Sequence, residues 1–226
     1  EKKGVVAPVL LPDFAILDAD LTLKCPSHVT AATGVDAMVH AIEAYTSKIK
    51  KNPISDTLAR EALRIIAANL LTACQDGQNR AAREGLLLGA TLAGQAFANS
   101  PVAAVHALAY PLGSHYHVAH GLSNALMLGP VLRFNTSAAA HQYAELADVI
   151  GVPGYGNTEE RADAFIQAIE ILMSESGSPR RLRDVGVTED SLGMLADEAM
   201  KQTRLLINNP IALQRNDAMA LYREAY

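Results

Sequence analysis

The sequence predicts an all-α protein, a helical bundle with a short extended leader. Aromatic residues make up only 5% of its 226 residues, tryptophan is absent, and half of the residues are apolar. This composition favours closely packed helices over sheets, whose strands are enriched in aromatic and β-branched residues. Apolar residues also recur at helical spacing through most of the chain, and the sequence shows no alternating strand–helix pattern.

The leader, residues 1–26, is the first predicted element. Residues 4–18 are rich in Val, Leu and Ile and are punctuated by proline, which predicts one or two short extended segments. The first helix is expected over residues 27–47, with Ser27 as its N-cap. The leader is therefore separate from the helical part, residues 27–226.

Further helices follow along the chain. Ser55 is expected to cap a second helix that ends at Gly77, and a third helix over 79–98 carries many small residues, which let helix backbones approach closely. Residues 99–130 have a less regular pattern. The next sequence segments predict four amphipathic helices, near 137–150, 158–175, 188–200 and 216–225.

Charge and cysteine content exclude several classes of protein. The chain has 19 basic and 24 acidic side chains, a formal charge of −5, which argues against a nucleic-acid binder. No apolar stretch reaches the length of a membrane span, and no signal peptide is visible. Cys25 and Cys74 form no CxxC motif or disulfide framework, which is typical of a reducing compartment. The expected location is cytoplasmic.

The spacing of Asp36 and His40 indicates a functional pair. Residues four apart share one face of a helix, and here that face is also the apolar one. Residues 25–47 contain no Lys or Arg, so a buried Asp36 needs a cation or backbone donors. A metal site and a simple hydrogen-bonded pair that joins helices are equally favoured by these two residues.

Four of the seven histidines fall within fifteen residues, at positions 106, 115, 117 and 120. Each histidine taken alone is best interpreted as a core or surface residue. His106 and His120, taken with Asp36 and His40, would give one carboxylate and three imidazoles, a donor set that suits divalent iron, zinc or a similar first-row metal. We expect His115 and His117 on the surface or at a pocket rim.

Long segments of the chain resemble the iron-containing (group III) alcohol dehydrogenase family. The strongest are TGVDAMVHAIEAY and AVHALAYPLGSHYHVAHGLSNALMLGPVLRFN; others are LPDFAILDADLT, LRDVGVTEDSL and NPIALQRNDAMALYREAY. The resemblance implies a C-terminal, dehydroquinate synthase-like helical domain that binds a metal. By the same resemblance, Asp36, His40, His106 and His120 match the family's four metal ligands.

The resemblance also implies an activity. The metal, Fe(II) or else zinc or another divalent ion, would polarise the oxygen of a small alcohol or carbonyl substrate while hydride passes to or from NAD(P). Phe97 matches an aromatic position at the substrate cavity, although an ordinary core role is equally favoured. Glu43 is in reach of a ligand, but a solvated or structural role is favoured for it. Relatives form dimers, so a homodimer is expected.

Two departures from the family pattern matter. Many relatives have a histidine four residues after the third ligand, where this chain has Tyr110. A phenol is a weaker acid than imidazolium. It can still donate a hydrogen bond or relay a proton, so Tyr110 is the candidate catalytic residue. The chain also contains no Gly-Gly pair and thus no GGGS-type turn. Residues 1–26 are therefore expected to be the end of a missing N-terminal nucleotide-binding domain.

Other functions stay open at this point. One is a reductase of a more specialised carbonyl compound from the same superfamily, and another is a non-catalytic metal-binding domain. A metal-dependent hydrolase is less favoured, because it needs a general base beside the metal and only Glu43 or Tyr110 can be nominated. The substrate, the metal and the choice between NAD and NADP are not determined by the sequence.

Overall fold

The computed structural model describes residues 7–226. The described residues form α-helices and 3₁₀ turns and contain no β-strand. The described residues form nine α-helices. In chain order they are α1 Ser27–Thr46, α2 Pro53–Gln75, α3 Arg80–Asn99, α4 Ala104–Tyr116, α5 His120–Val149, α6 Thr158–Glu175, α7 Leu192–Met200, α8 Thr203–Leu206 and α9 Arg215–Ala225.

The described part of the leader joins no sheet. Ala7, Leu11 and Asp18 have extended backbone angles, but Pro8–Leu10 and Ala19–Thr22 each form a turn of 3₁₀ helix. In residues 7–26, most of the large apolar side chains are exposed. They are Val9, Leu10, Leu11, Phe14, Ile16, Leu17 and Leu21. Residues 7–18 of the predicted extended segment thus form no β-strand, and residues 4–6 lie outside the described range.

The helix starts differ from the sequence prediction. Ser27 is already helical, preceded by Pro26, and its hydroxyl donates to the Cys74 carbonyl at 2.8 Å. Asn52 caps α2 in place of Ser55, because its side chain accepts the backbone N–H of Ser55 at 3.0 Å. The proline at the first helical position explains this shift, since its fixed backbone angle makes the preceding residue the cap.

The prediction of less regular structure over residues 99–130 is wrong, because most of this range is helical. It contains all of α4 and the start of α5, with Pro111 and Pro130 inside these helices. Both prolines are buried, so packing outweighs their low helix propensity. The real break lies after Tyr116, where His117 takes a left-handed conformation with φ 54°. The helix predicted at 137–150 is the second half of α5.

The bundle is organised around α1 and α5, which contact each other. α2 and α3 pack on α1, whereas α4, α6 and α9 pack on α5, and α7 joins α4 to α9. Buried polar groups are tied into this core; for example, Tyr222 donates its hydroxyl to the Leu108 carbonyl at 2.6 Å. No helix in residues 7–226 combines the length and apolar character needed to cross a membrane. The meeting point of α1, α4 and α5 holds the candidate site.

Candidate metal centre

Three helices bring together the four residues that the sequence nominated as ligands. α1 contributes Asp36 and His40 from consecutive turns, α4 contributes His106 near its start, and α5 contributes His120 as its first residue. One nitrogen or oxygen atom of each side chain lies within 4.8 Å of the others. The cluster is accessible from one side, since His120 is about one-third exposed while His106 is buried.

Asp36 Oδ1 lies at nearly equal distances from the three imidazoles. It is 3.9 Å from His40 Nε2, 3.9 Å from His106 Nε2 and 3.8 Å from His120 Nε2. These separations are too long for hydrogen bonds, so a directly bonded Asp36–His40 pair is not present. A carboxylate oxygen and three imidazole nitrogens that face one another at these distances are typical of ligands around a common cation.

The imidazole of His40 is held in a neutral, oriented state. Burial lowers the pKa of His40 to about 4, although the nearby Asp36 carboxylate opposes this shift. Its ring stacks between those of Phe97 and His106, with centroid distances of 4.5 and 4.9 Å. At neutral pH the ring is therefore in the metal-binding form, because a neutral imidazole has a lone pair on one of its nitrogens.

Glu43 is buried and holds His106 in place, so of the two roles favoured for it, solvated or structural, the solvated one is wrong. The side chain is only 4% exposed, and its Oε2 lies 2.7 Å from His106 Nδ1. Its two oxygens also accept the backbone N–H groups of Ala103 at 2.9 Å and Val105 at 2.7 Å. The carboxylate thus caps the start of α4. It also favours the His106 tautomer that has its proton on Nδ1, which leaves the lone pair on Nε2, toward the cluster.

Gly121 permits the close approach of α5 to α1. A Cβ atom on this glycine would lie 2.4 Å from the backbone oxygen of Ala32 and 3.3 Å from the Cβ of Asp36. No larger residue fits without a shift of one helix. The adjacent His120 therefore reaches the cluster because its neighbour has no side chain, a role that the sequence analysis did not assign.

Asn124 is a second residue that the sequence analysis missed. It lies one turn after His120 and is completely buried. Its Nδ2 is 2.5 Å from Asp36 Oδ1, 3.2 Å from His106 Nε2 and 3.3 Å from His120 Nε2. Its Oδ1 is buried and has no hydrogen-bond partner among residues 7–226. The available signal was the spacing of four from His120, which places both residues on one face of α5.

The other nominated residues fall into two groups. Tyr110 is half-buried one turn after His106, and its ring centroid is 6.0 Å from that of His120. Phe97 reaches the cluster from α3 through its stack on His40. His115 and His117 are exposed at the far end of α4 and do not belong to the cluster.

The chemistry of the donor set fits a divalent transition metal. Three imidazole nitrogens are borderline ligands, and together with one carboxylate they suit iron, zinc and related ions, whereas calcium and magnesium prefer oxygen donors alone. The buried amide of Asn124 adds a further polar group beside the cluster, with its nitrogen toward the ligand atoms. The residues present are therefore compatible with a resident metal ion.

Comparison with known proteins supports the same interpretation. The model of the Fe-containing alcohol dehydrogenase family, C-terminal, matches residues 30–226. The chain is 39% identical to long-chain-alcohol dehydrogenase 1 of Geobacillus thermodenitrificans, an alignment that covers all of this chain and 57% of that protein. It is also 39% identical to the 1,3-propanediol dehydrogenase of Klebsiella pneumoniae, covering 96% of this chain and 56% of the relative.

A solved structure has the same fold. The crystal structure of a 1,3-propanediol oxidoreductase superposes with a TM-score of 0.90 and 38% identity, covering 92% of this chain and 55% of the other. This chain thus spans a little more than half the length of the relatives that it matches. The matched half is the helical part that carries the four-residue cluster. The chain belongs to the Fe-containing alcohol dehydrogenase family and corresponds to its C-terminal domain.

Proposed function

We propose that this chain is the metal-holding part of an NAD(P)-dependent alcohol dehydrogenase that oxidises a small alcohol or reduces an aldehyde or ketone. The observation that carries the proposal is the cluster of one carboxylate and three imidazoles where α1, α4 and α5 meet. The named activities of similar proteins, such as 1,3-propanediol dehydrogenase, support the reaction class. They differ among themselves in substrate, so the proposal names only the class.

In this proposal Asp36, His40, His106 and His120 hold the metal, which is Fe(II) or else zinc or another divalent ion. When bound, the metal supplies Lewis-acid polarisation of a substrate oxygen. Asp36 provides the only formal charge among these four ligands, since neutral imidazoles add none. A divalent ion in this set therefore keeps a net positive charge, which favours an electron-rich substrate oxygen.

Phe97 and Tyr110 are proposed to act on the substrate side of the site. Phe97 stacks on His40, so it fixes that ring and offers an apolar wall beside the metal. Tyr110 lies next to His120, and its hydroxyl is the proposed group that exchanges a proton with the substrate oxygen. In protein that turns over, Tyr110→Phe should lower kcat and alter its pH profile. An unchanged profile would remove Tyr110 from the mechanism.

NAD(P) binding, assembly and location complete the proposal. NAD(P) is the proposed hydride carrier, and no described residue is assigned to it. The exposed apolar side chains of the leader support contact with a further domain or subunit, and a homodimer is proposed. Cys25 and Cys74 form no disulfide in the described part of the chain, which supports a reducing, cytoplasmic location.

Metal content tests the proposed function. We expect the chain, purified without oxygen, to contain a stoichiometric amount of iron or zinc by mass spectrometry. His120→Ala should abolish tight binding while helix content is retained, and Asp36→Asn should weaken binding by removing the charged ligand. His117→Ala is the matched control, because this exposed histidine lies outside the cluster. Metal retained in both ligand variants would contradict the four-ligand site.

A further inference from the structure

We propose that Asn124 is an additional donor to the metal, through its amide oxygen, and that it disfavours four-coordinate zinc. The proposal rests on the proposed function, because it assumes that the Asp36 cluster holds a divalent ion. It concerns a residue to which neither the sequence motifs nor the family resemblance assigned a role.

The end of the Asn124 side chain is directed into the cluster. Its Nδ2 is within 3.3 Å of a ligand atom of Asp36, His106 and His120, and the whole residue is buried. An amide nitrogen has only two hydrogens, so it cannot satisfy three acceptors at once. The amide oxygen, on the opposite side, has no hydrogen-bond partner in the described residues.

A half-turn of the amide exchanges its nitrogen and oxygen without moving the rest of the side chain, because this terminal torsion is broad and roughly two-fold. In this rotation Nδ2 gives up its contacts to Asp36, His106 and His120, whereas the oxygen gives up no hydrogen bond. It would then face one carboxylate oxygen and two imidazole lone pairs, which is unfavourable unless a cation lies among them. A bound metal therefore selects the orientation that presents Oδ1.

The added donor has a consequence for metal choice. Zinc in proteins is usually tetrahedral, whereas Fe(II) sites commonly combine imidazole and carboxylate ligands with further open positions. Three nitrogens and two oxygens from the protein exceed the number that tetrahedral zinc accepts. The Asn124 oxygen should thus favour Fe(II) and Co(II), with space left for a substrate oxygen.

Cobalt(II) is the probe for this proposal, since its visible absorption becomes more intense as the coordination number falls to four. We compare the wild-type chain with Asn124→Leu, which keeps the size of the side chain but has no donor atom. We expect Asn124→Leu to show a more intense spectrum, roughly 10–100-fold weaker Co(II) binding and a smaller loss for Zn(II). Asn135→Leu is the matched control.

The control and the remaining outcomes separate the hypotheses. Asn135 is also a buried asparagine on α5, but it pairs with Asn209 at 3.0 Å, so its variant should keep the wild-type spectrum. Equal spectra and affinities for the wild type and Asn124→Leu would overturn this proposal alone. Failure of the wild type to bind any Co(II) would contradict the proposed function as well.

A second variant covers the case in which Asn124→Leu does not fold. Asn124→Asp has nearly the same shape and presents only oxygen atoms. If the wild-type amide already donates its oxygen, the Asp variant should keep the wild-type Co(II) spectrum. A clearly less intense spectrum, indicating a donor that the wild type lacks, would overturn the proposal.

Discussion

The two ends of α4 carry histidines with opposite surroundings. His106, at the start, is buried, and Glu43 holds its Nδ1 while Nε2 faces the cluster. His115 and His117, at the other end, are exposed, and His117 stands where the chain leaves the helix in a left-handed conformation. Closeness in sequence therefore does not make a ligand. His106 differs from the other two histidines in its burial and in the carboxylate that fixes its second ring nitrogen.

The start of α4 is also where helix capping and the metal site become one structure. Ala103 provides no side-chain cap, and the first backbone N–H groups would otherwise be unsatisfied. Glu43 accepts two of them, so its negative charge lies at the positive end of the helix dipole. A single carboxylate from α1 thus fixes both the helix start and the orientation of His106.

Glu43→Gln should have the largest effect on the metal centre, because it changes the partner that fixes His106. The variant keeps the shape, but its neutral amide cannot accept all three hydrogen bonds, because one of its two terminal atoms is now a donor. We expect metal affinity to fall about 10–100-fold, as is typical of groups that orient a ligand. The measurement is Co(II) or Zn(II) competition at a temperature where the variant is folded, with exposed Glu159→Gln as the control.

A second readout distinguishes the two roles of Glu43. Loss of the cap alone would lower the melting temperature of the metal-free chain and leave metal affinity unchanged. We expect both quantities to fall, since the same carboxylate serves the helix and the ligand. Unchanged affinity would show that Glu43 acts on the helix alone.

The sequence predicted the presence of the helices better than the residues at which they begin and end. Apolar spacing identified α1, α2, α3 and α6 within a few residues, because that pattern reflects which face is buried. It failed over 99–130, since Pro111 and Pro130 are strong local breakers and only tertiary packing keeps them helical. The cap of α2 was misassigned because several polar residues at its start are equally good caps locally.

The site was predicted unevenly for a similar reason. Asp36 and His40 were identified by their spacing on one helix, and His106 and His120 by the histidine-rich segment and then by the resemblance. The cluster therefore required little knowledge of the packing. Glu43 was undervalued because its burial depends on how α4 crosses α1, which spacing does not encode. Asn124 lacked a motif of its own, and its significance depends on an orphaned oxygen that only coordinates reveal.

Gly121→Ala tests the position of a ligand, because it should displace His120 without changing that residue. The new methyl group would lie against the Ala32 backbone, so α5 must move away from α1 and carry His120 with it. We expect a loss of about 1–3 kcal/mol in the free energy of unfolding, as for other overpacked sites, together with weaker metal binding. Denaturant unfolding and metal competition measure the two effects.

Gly94→Ala is the matched control for this change. Gly94 lies inside α3, and a Cβ atom there would meet nothing within 4 Å. The substitution should raise stability by up to about 1 kcal/mol, because alanine is the better helix former, and should leave metal affinity unchanged. Similar losses in both glycine variants would contradict the close-contact explanation for Gly121.

The smallest expected effect concerns the exposed end of α4. His117 has φ 54°, a region that glycine adopts without the steric cost of a Cβ atom. His117→Gly should therefore stabilise the chain by up to about 1 kcal/mol, whereas His115→Gly, inside the last helical turn, should destabilise it by a similar amount. Thermal unfolding measures this opposite sign, and metal content should be unchanged in both variants. Loss of metal from either one would show that the far end of α4 contributes to the centre, and the contrast between its two ends would no longer hold.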